Sequence, residues 1–223
     1  MPYFRPDERG GVFTGLYDKK LRDVLALLEG KRLRILDVGG GYGRMAGPLA
    51  RFNRVLLTDI AWEMIDRARR SANPSLECVQ ADGHSLPFGD ATFDCVLAID
   101  LTVHLENPSR AFAEFARVLR PGGRLVVDAT NSNPLWTLFY PEYVGLNPLR
   151  WANTMLHGGV LPEWQSIVRH YRRSELTRMV STAGFVLLRQ FSYGPAVCPK
   201  WFLALAAKVD GASFAMGNRE EGP

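Results

Sequence analysis

Apolar and polar residues alternate at helical and strand-like spacings along most of the chain. The first element is an amphipathic helix before residue 30, where apolar residues stand three or four positions apart. They are Leu21, Val24, Leu25 and Leu28. The next apolar run, residues 35–38, leads into glycines and predicts a buried strand that turns directly into a loop. From there to residue 129, short apolar runs alternate with amphipathic segments. This alternation is typical of a parallel sheet with helices on both faces.

Proline, glycine and asparagine mark the ends of the predicted elements. Strands are expected at 55–58, 76–79, 93–99 and 125–129, and helices at 44–51, 61–72 and 109–119. Ser174 is expected to cap a later helix that ends at Gly184. The apolar face of that helix consists of Leu176, Met179 and Val180. Two strands, 185–191 and 201–208, complete the regular part of the chain.

Residues 130–170 interrupt this regular pattern with four prolines among six large aromatic residues. We interpret them as an insertion. Residues 210–223 carry glycines and little apolar pattern, which predicts a disordered tail. The chain therefore divides into an N-terminal cap (1–30), a core (31–129), the insertion (130–170), a second part of the core (171–209) and the tail.

The composition fits one soluble domain, since 47% of the 223 residues are hydrophobic and 22% are charged. The three cysteines stand far apart, which indicates free thiols rather than a disulfide or zinc framework, and no metal site is expected. They are Cys78, Cys95 and Cys198. No apolar run has the length of a signal-peptide core or a membrane span, so we expect a cytoplasmic protein without an integral membrane segment.

The basic residues form short clusters rather than one patch. The formal net charge is +4, and a solvated helix face explains each cluster. The clusters are Lys19–Lys20, Lys31–Arg32, Arg67–Arg70 and Arg172–Arg173. No basic ribbon with interleaved aromatic residues is present, so we expect no nucleic-acid partner.

The glycine-rich loop after the first strand carries the strongest chemical signal. It has the pattern Asp-x-Gly-x-Gly-x-Gly from Asp37 to Gly43. Glycine lets a backbone approach a ligand closely, and the following helix offers unpaired N–H groups, so the loop is typical of an adenosine-type cofactor site. A tight turn without a ligand is the alternative. Asp59 ends the second strand, where an acid can accept hydrogen bonds from ribose hydroxyls.

Several further motifs follow the loop in order. Together they resemble the class I S-adenosylmethionine-dependent methyltransferases, above all the small-molecule, methyltransferase type 11-like subgroup that acts on quinones, sterols and natural products. The motifs are Val79-Gln80-Ala81-Asp82-Gly83, Leu86-Pro87-Phe88, Phe93-Asp94-Cys95-Val96 and Arg117-Val118-Leu119-Arg120-Pro121-Gly122-Gly123. The resemblance covers about residues 34–129, and more weakly 174–185.

The resemblance implies a Rossmann-like α/β fold with a doubly wound, seven-stranded sheet, mostly parallel with an antiparallel last strand. It implies an enzyme that uses S-adenosylmethionine and releases S-adenosylhomocysteine. In this comparison Asp59 binds the ribose, Ile60 packs on the adenine, Asp82 accepts from the adenine amino group and Asp37 steadies the loop and the methionine ammonium. The full implied cofactor set is Asp37, Gly39, Gly40, Gly41, Gly43, Asp59, Ile60, Met64, Asp82, Gly83 and Asp100.

The segment that follows the fourth strand contains two candidate general bases. His104 is the first candidate and Asp100 the second, since a base near the sulfonium would help a hydroxyl or activated carbon acceptor. Structural alternatives stay open for these and other positions. A backbone carbonyl could simply satisfy His104, Asp100 could orient the cofactor, Asp82 could cap a turn, and Asp37 could tie down the loop.

The expected acceptor is a small molecule. Methyltransferases of base amines carry Asp/Asn-Pro-Pro-aromatic after the fourth strand, whereas this chain has Ile99-Asp100-Leu101-Thr102. The aromatic insertion favours an acceptor with apolar or planar surface, a lipid-like one included, although core packing also explains such rings. The expected lining residues are Trp136, Phe139, Tyr140 and Tyr143. O- or C-methylation is favoured, N-methylation stays open, and no signal sets an oligomeric state.

Two other function classes compete with a methyltransferase. A catalytically silent S-adenosylmethionine-binding partner protein would keep the same cofactor residues. A nicotinamide-dependent oxidoreductase would share the acid that binds ribose. However, the loop spacing differs from Gly-x-Gly-x-x-Gly, and a Tyr-x-x-x-Lys pair is lacking.

Overall fold

The computed structural model describes residues 12–28, 32–70, 76–133, 135, 169–194, 196 and 199–209. The strands are β1 (Arg34–Val38), β2 (Arg54–Asp59), β3 (Leu76–Gln80), β4 (Phe93–Ala98), β5 (Leu119–Thr130), β6 (Phe185–Tyr193) and β7 (Trp201–Lys208). The helices are α1 (Val12–Leu28), α2 (Ala46–Leu49), α3 (Trp62–Arg69), α4 (Pro108–Val118) and α5 (Arg173–Thr182). A short 3₁₀ helix covers Thr102–His104.

The seven strands form one sheet in the order β3-β2-β1-β4-β5-β7-β6. Strand β7 is antiparallel to both of its neighbours, and the other pairs are parallel. The predicted mostly parallel sheet with an antiparallel last strand is therefore confirmed. The chain winds outward from β1 to β3 and then returns to β4 beside β1. Ligands of open α/β sheets bind at such a reversal, outside the carboxyl ends of the strands.

The sheet buries apolar residues on both faces. Because side chains alternate along a strand, Ile35 packs with α1, α2 and α3, whereas Leu36 packs on the opposite face with α4 and α5. The first face also includes Val24, Leu28, Leu49, Ile65, Leu97 and Leu203. The second includes Phe93, Phe112, Phe115, Leu125, Leu176 and Val180. The doubly wound arrangement follows from these two cores.

Local sequence explains where two of the helices begin. Helix α4 starts with Pro108, and the Asn107 side chain accepts the Arg110 N–H at 3.1 Å. Helix α5 starts at Arg173, so the predicted Ser174 cap is wrong. The reason is that the Glu175 carboxylate accepts the N–H of Arg172 at 2.6 Å, which fixes the helix start two residues earlier.

Several other boundaries differ from the predictions. Helix α2 is one turn long because the glycine loop extends to Met45, which precedes the first helical residue. Helix α3 ends at Arg69 rather than residue 72. Strand β5 starts at Leu119, so its range includes the Pro121–Gly123 turn, and its pairing with β4 shifts register there. Cys78 and Cys95 are free thiols, as predicted.

Some sequence predictions lie outside the described residues. These are Cys198, the tail from residue 210 and nearly all of the insertion between residues 134 and 168. Within the described part of the chain, no helix is long and apolar enough to cross a membrane. The same residues contain no group of three or more His, Cys, Asp or Glu side chains placed to hold a metal ion.

The buried face of α4 gives a test of the core. Phe115 is fully buried, so Phe115→Ala should lower the free energy of unfolding by about 3–5 kcal/mol, because a large cavity forms. Phe52 is 73% exposed, and Phe52→Ala should change it by no more than about 0.5 kcal/mol. Urea unfolding measures both values. Equal effects of the two substitutions would contradict the packing described here.

Candidate active site

The glycine loop leads from the carboxyl end of β1 into α2. Gly39, Gly41 and Gly43 have positive φ values of 67°, 57° and 90°. A Cβ at Gly41 would meet no atom within 4 Å, so glycine is needed there for the backbone conformation, and the space beside it is open. The Gly41 N–H donates to Asp59 Oδ2 at 3.0 Å. The loop is thereby tied to the end of β2.

Asp37 lies directly beneath this loop. It is 1% exposed, and its Oδ2 has no hydrogen-bond partner in the described part of the chain. A Cβ at Gly40 would lie 2.7 Å from that oxygen, so the loop packs against the carboxyl group without room for a side chain. Burial, and then the charge of Asp59, raise the pKa of Asp37 to about 7, although an Ala46 N–H opposes the shift. An unsatisfied buried acceptor of this kind fits a cationic or N–H-bearing ligand.

The end of β2 presents an acid beside an exposed apolar side chain. Asp59 is half-buried, and its Oδ1 accepts the Ala61 N–H at 2.9 Å. Ile60 is 67% exposed, whereas Met64 on α3 is buried. An exposed isoleucine next to a carboxylate suits a nucleoside, because the acid can bind the ribose hydroxyls while the side chain packs on the base.

The end of β3 presents Asp82 and Gly83. Asp82 Oδ1 accepts the backbone N–H of His84 at 2.8 Å and contacts His84 Nδ1 at 2.8 Å. The hydrogen bonds from His84, stronger than the opposing burial, lower the pKa of Asp82. Asp82 therefore does form a turn, as the structural alternative predicted, and its side chain is still 47% exposed. A Cβ at Gly83 would lie 3.2 Å from Val38 Cγ1, so this turn packs against the end of β1.

Asp100 follows β4 in a left-handed conformation with φ 57°. Its N–H donates to Asp128 Oδ1 on β5 at 2.7 Å. Lys20 Nζ donates to Asp100 Oδ1 at 2.8 Å and to Asp128 Oδ2 at 2.6 Å. We call these three residues the Lys20 cluster. Since Leu101 would contact a Cβ at Gly39, the cluster lies next to the glycine loop.

The prediction that Lys19 and Lys20 form a solvated helix face is wrong for Lys20. Lys20 is 0% exposed, while the Lys19 side chain is 54% exposed. The physical reason is that Lys20 lies one and two helical turns before Val24 and Leu28, on the face of α1 that packs against the sheet. Its spacing from those two residues was the signal that sequence reasoning missed.

Tyr17 and Arg44 form a contact between α1 and the glycine loop. The Arg44 guanidinium lies 3.8 Å from the centre of the Tyr17 ring. Arg44 Nη1 is buried and has no hydrogen-bond partner among the described residues. Burial and the charge of Asp100 raise the pKa of Tyr17, so its hydroxyl stays protonated. An unsatisfied guanidinium donor fits a ligand that carries a carboxylate, such as an amino acid.

His104 ends the short 3₁₀ helix after β4. It is exposed, whereas Thr102 and Val103 beside it are buried. The His104 N–H donates to the Leu101 carbonyl at 2.9 Å, which closes the turn. His104 thus follows Asp100 by four residues at the same end of the sheet. Its catalytic role, like that of Asp100, stays a prediction.

The ends of the predicted insertion lie side by side. The Tyr171 N–H donates to the Thr130 carbonyl at 2.9 Å, and the Ser132 N–H donates to the Tyr171 carbonyl at 2.9 Å. The Tyr171 hydroxyl donates to the Thr102 carbonyl at 3.0 Å. The segment therefore leaves and rejoins the core beside the turn that precedes His104. The predicted lining residues, Trp136, Phe139, Tyr140 and Tyr143, lie outside the described residues.

The amino-acid sequence is similar to those of known methyltransferases. The sequence model of a methyltransferase domain matches residues 36–127. A demethylmenaquinone methyltransferase from Renibacterium salmoninarum is 31% identical over 160 residues, which cover 63% of this chain and 67% of the relative. An O-methyltransferase, cnsE, from Penicillium expansum is 36% identical over 52% of this chain. The match to it spans only 46% of its length, and several other curated relatives are likewise matched over about half of theirs.

The fold is also similar to that of a solved methyltransferase structure. The structure of magnesium protoporphyrin IX methyltransferase from Synechocystis, with bound S-adenosylhomocysteine, superposes with a TM-score of 0.66 at 18% identity. The superposition covers 90% of this chain and 88% of that one. The chain therefore belongs to the class I S-adenosylmethionine-dependent methyltransferase family.

The raised pKa of Asp37 predicts a pH dependence of stability. An unfolded carboxyl group has a pKa of about 3.9, so the folded protein holds this proton more tightly. The stabilisation is complete below about pH 4 and is lost as the pH rises towards 7. Asp37→Asn copies the neutral carboxyl group, so the variant should be more stable than the wild type by a small margin near pH 5 and by a larger margin near pH 8.

Chemical unfolding at both pH values measures this difference. Burial raises the pKa of Asp128 as well, but that residue is present in both proteins and does not affect the comparison. Asp66→Asn on the exposed face of α3 is the control and should follow the wild type at both values. If Asp37→Asn were instead less stable than the wild type near pH 8, the ionised carboxylate rather than the neutral acid would hold the loop.

Proposed function

We propose that the protein is an S-adenosylmethionine-dependent methyltransferase of a small, partly apolar or aromatic acceptor. The observation that carries the proposal is the buried, unsatisfied Asp37 oxygen beneath an open glycine loop. Asp59 and the exposed Ile60 flank that loop on the adjacent strand. A ligand with a nucleoside at one end and an amino acid at the other matches this order of groups along the sheet edge.

Each part of S-adenosylmethionine has a matching group. The ribose hydroxyls would donate to Asp59, and the adenine would lie between Ile60 and the Asp82–Gly83 turn. The methionine end would lie beside Asp37 and Asp100, with S-adenosylhomocysteine left after transfer. Asp82 is half-exposed and ionised, so it can accept from the adenine amino group. Met64, which is buried on α3, stays in the proposed cofactor set.

The bound cofactor would supply an activated methyl group on a positively charged sulfur. The protein's own contribution is then to align the acceptor in line with that methyl group and to exclude water. A base near the acceptor would add about 10²–10⁴ in rate for a hydroxyl or carbon acceptor. His104 is exposed after β4, where we place the acceptor, and is our first candidate. Asp100 is the second, although its contact with Lys20 favours a role in orientation.

We also propose that residues 130–170 shape the acceptor pocket. The support is the position of their two ends, which lie beside the turn before His104. An insertion at this edge of the sheet is placed to cover an acceptor and exclude water. Trp136, Phe139, Tyr140 and Tyr143 are the proposed lining residues, and an acceptor with apolar or planar surface suits them.

A catalytically silent S-adenosylmethionine-binding protein is the second candidate, because the cofactor groups alone do not require turnover. Transfer of a labelled methyl group separates the two, with quinones, phenols, hydroxylated natural products and lipids as test acceptors. Transfer to any acceptor supports the enzyme. Tight cofactor binding without transfer to any member of the panel supports the silent protein. Preference for NAD over S-adenosylmethionine would instead favour an oxidoreductase.

The first prediction from the proposed function concerns cofactor binding. Calorimetry should show one mole of S-adenosylmethionine bound per chain. Asp59→Asn keeps an acceptor for a loop N–H but removes the carboxylate that the ribose needs. A hydrogen bond to a charged group contributes about 1.5–3 kcal/mol, so affinity should fall roughly ten- to a hundredfold. Asp66→Asn, an exposed acid on α3, is the matched control and should bind as the wild type does. Unchanged affinity in Asp59→Asn would rule out this ribose site.

The second prediction concerns His104. If it is the general base, His104→Gln should reduce turnover by about 10²–10⁴ with an identified acceptor, while calorimetry shows unchanged S-adenosylmethionine affinity. Turnover within about twofold of the wild type would mean that alignment alone suffices. In that case, His104 has only a structural role in the turn after β4.

A further inference from the structure

The Lys20 cluster is a closed ring of hydrogen bonds across three elements. Asp128 uses both carboxylate oxygens, one for the Asp100 N–H at 2.7 Å and one for Lys20 Nζ at 2.6 Å. Lys20 closes the ring with its bond to Asp100 Oδ1 at 2.8 Å. The ring fixes both the backbone and the carboxylate of Asp100, although a left-handed φ of 57° is unfavourable for a residue with a side chain.

The three residues of this ring differ in exposure. Lys20 and Asp128 are buried, at 0% and 1%, whereas the Asp100 side chain is 44% exposed. Only Asp100 is therefore available to a ligand. Lys20 also lies 4.6 Å from the Trp201 ring centre and 5.1 Å from that of Tyr17, so its ammonium is surrounded by aromatic faces and carboxylates.

The charges of the ring depend on one another. Burial opposes the charge of Lys20, but Asp100 and Asp128 raise the Lys20 pKa. Burial likewise opposes ionisation of Asp100, and the charge and hydrogen bond of Lys20 outweigh it and lower the Asp100 pKa. Without Lys20, the carboxyl groups of Asp100 and Asp128 would lie next to each other with no cation between them. Their lowest-energy state would then be the one in which they share one proton.

We propose that Lys20 is a positioning residue, which holds the Asp100 carboxylate outward at the methionine end of the cofactor site. The inference rests on the proposed function and adds helix α1 to the site. In the absence of Lys20, Asp100 would turn towards Asp128 to share a proton. The cofactor, which carries an ammonium and a sulfonium, would then lose an oriented negative partner.

Three variants, with Asp100→Asn as a further reference, test this role by calorimetric binding of S-adenosylmethionine. Lys20→Met should weaken affinity about ten- to a hundredfold, the range for loss of a charged hydrogen bond. Lys20→Met combined with Asp128→Asn should recover affinity to within about fivefold of the wild type, since the new amide can still accept the Asp100 N–H and donate to the Asp100 carboxylate. Lys19→Met removes one positive charge from the exposed face of α1 and should bind normally.

The rescue separates positioning from a merely structural clamp. Both proteins with Met at position 20 lack the ion pairs that join α1 to the sheet, so thermal unfolding should show both destabilised. A structural role predicts weak binding in both. The positioning role predicts that the double substitution alone recovers affinity. If the double variant loses as much affinity as Asp100→Asn does, the inference is overturned. This comparison remains decisive even if Lys20→Met does not fold.

A pH series gives an independent measure. The ratio of wild-type to Lys20→Met affinity should be largest at the pH where the two acids share a proton. It should fall as the pH rises further, because both acids then ionise and Asp100 is repelled outward. The other titratable or charged groups around Asp100 and the neighbouring Tyr17 are present in both proteins and largely cancel in the ratio. They are Tyr17, Asp37, Arg44 and Lys200. A ratio that does not change with pH would overturn the inference.

Failure of this inference can be told apart from failure of the proposed function. If the wild type and Lys19→Met do not bind S-adenosylmethionine, the proposed function fails and the role of Lys20 falls with it. If the wild type binds and Lys20→Met binds equally well, only the role of Lys20 is wrong.

Discussion

The parallel pairing of β1 with both β2 and β4 is the constraint on which the rest of the structure depends. Ile35 pairs with Val55 on one side and with Cys95 on the other, so β1 is hydrogen-bonded along both edges. Because the chain must cross over after each parallel strand, helices cover both faces, and the carboxyl ends of the strands meet at one edge. Asp37, Asp59 and Asp100 reach that edge for this reason.

The fold was predictable because each element carries its own signal. These signals act within a few residues of the element that they specify, and the structure follows them. They include the apolar runs of the strands, the Asn107–Pro108 start of α4 and the last glycine before β6. The start of α5 was predicted wrongly because two local signals compete there. Ser174 and Glu175 can both cap the helix, and the longer side chain is the one that does so. The sequence shows that both residues could cap the helix, but it does not show which of them does.

The site was predictable only in part. The glycines, Asp59 and Asp82 stand at strand ends, and their position follows once the strands are known. Lys20 was missed because a lysine on a helix is normally solvated, and its two carboxylate partners lie 80 and 108 residues away. His84 was missed for a different reason, because its contact with Asp82 depends on the geometry of one turn. Long-range charge pairing is a tertiary effect that no local pattern carries.

The adjacent ends of the segment between Asn131 and Tyr171 have a consequence for how such a protein can diversify. Two backbone hydrogen bonds hold these ends together on the core side. Residues added or removed between them change the entropy of closing the loop only slightly, by about 0.6 kcal/mol for each doubling of length. Residues can therefore be gained or lost between these ends during evolution at little energetic cost, while the sheet, and everything it holds in register, is inherited unchanged.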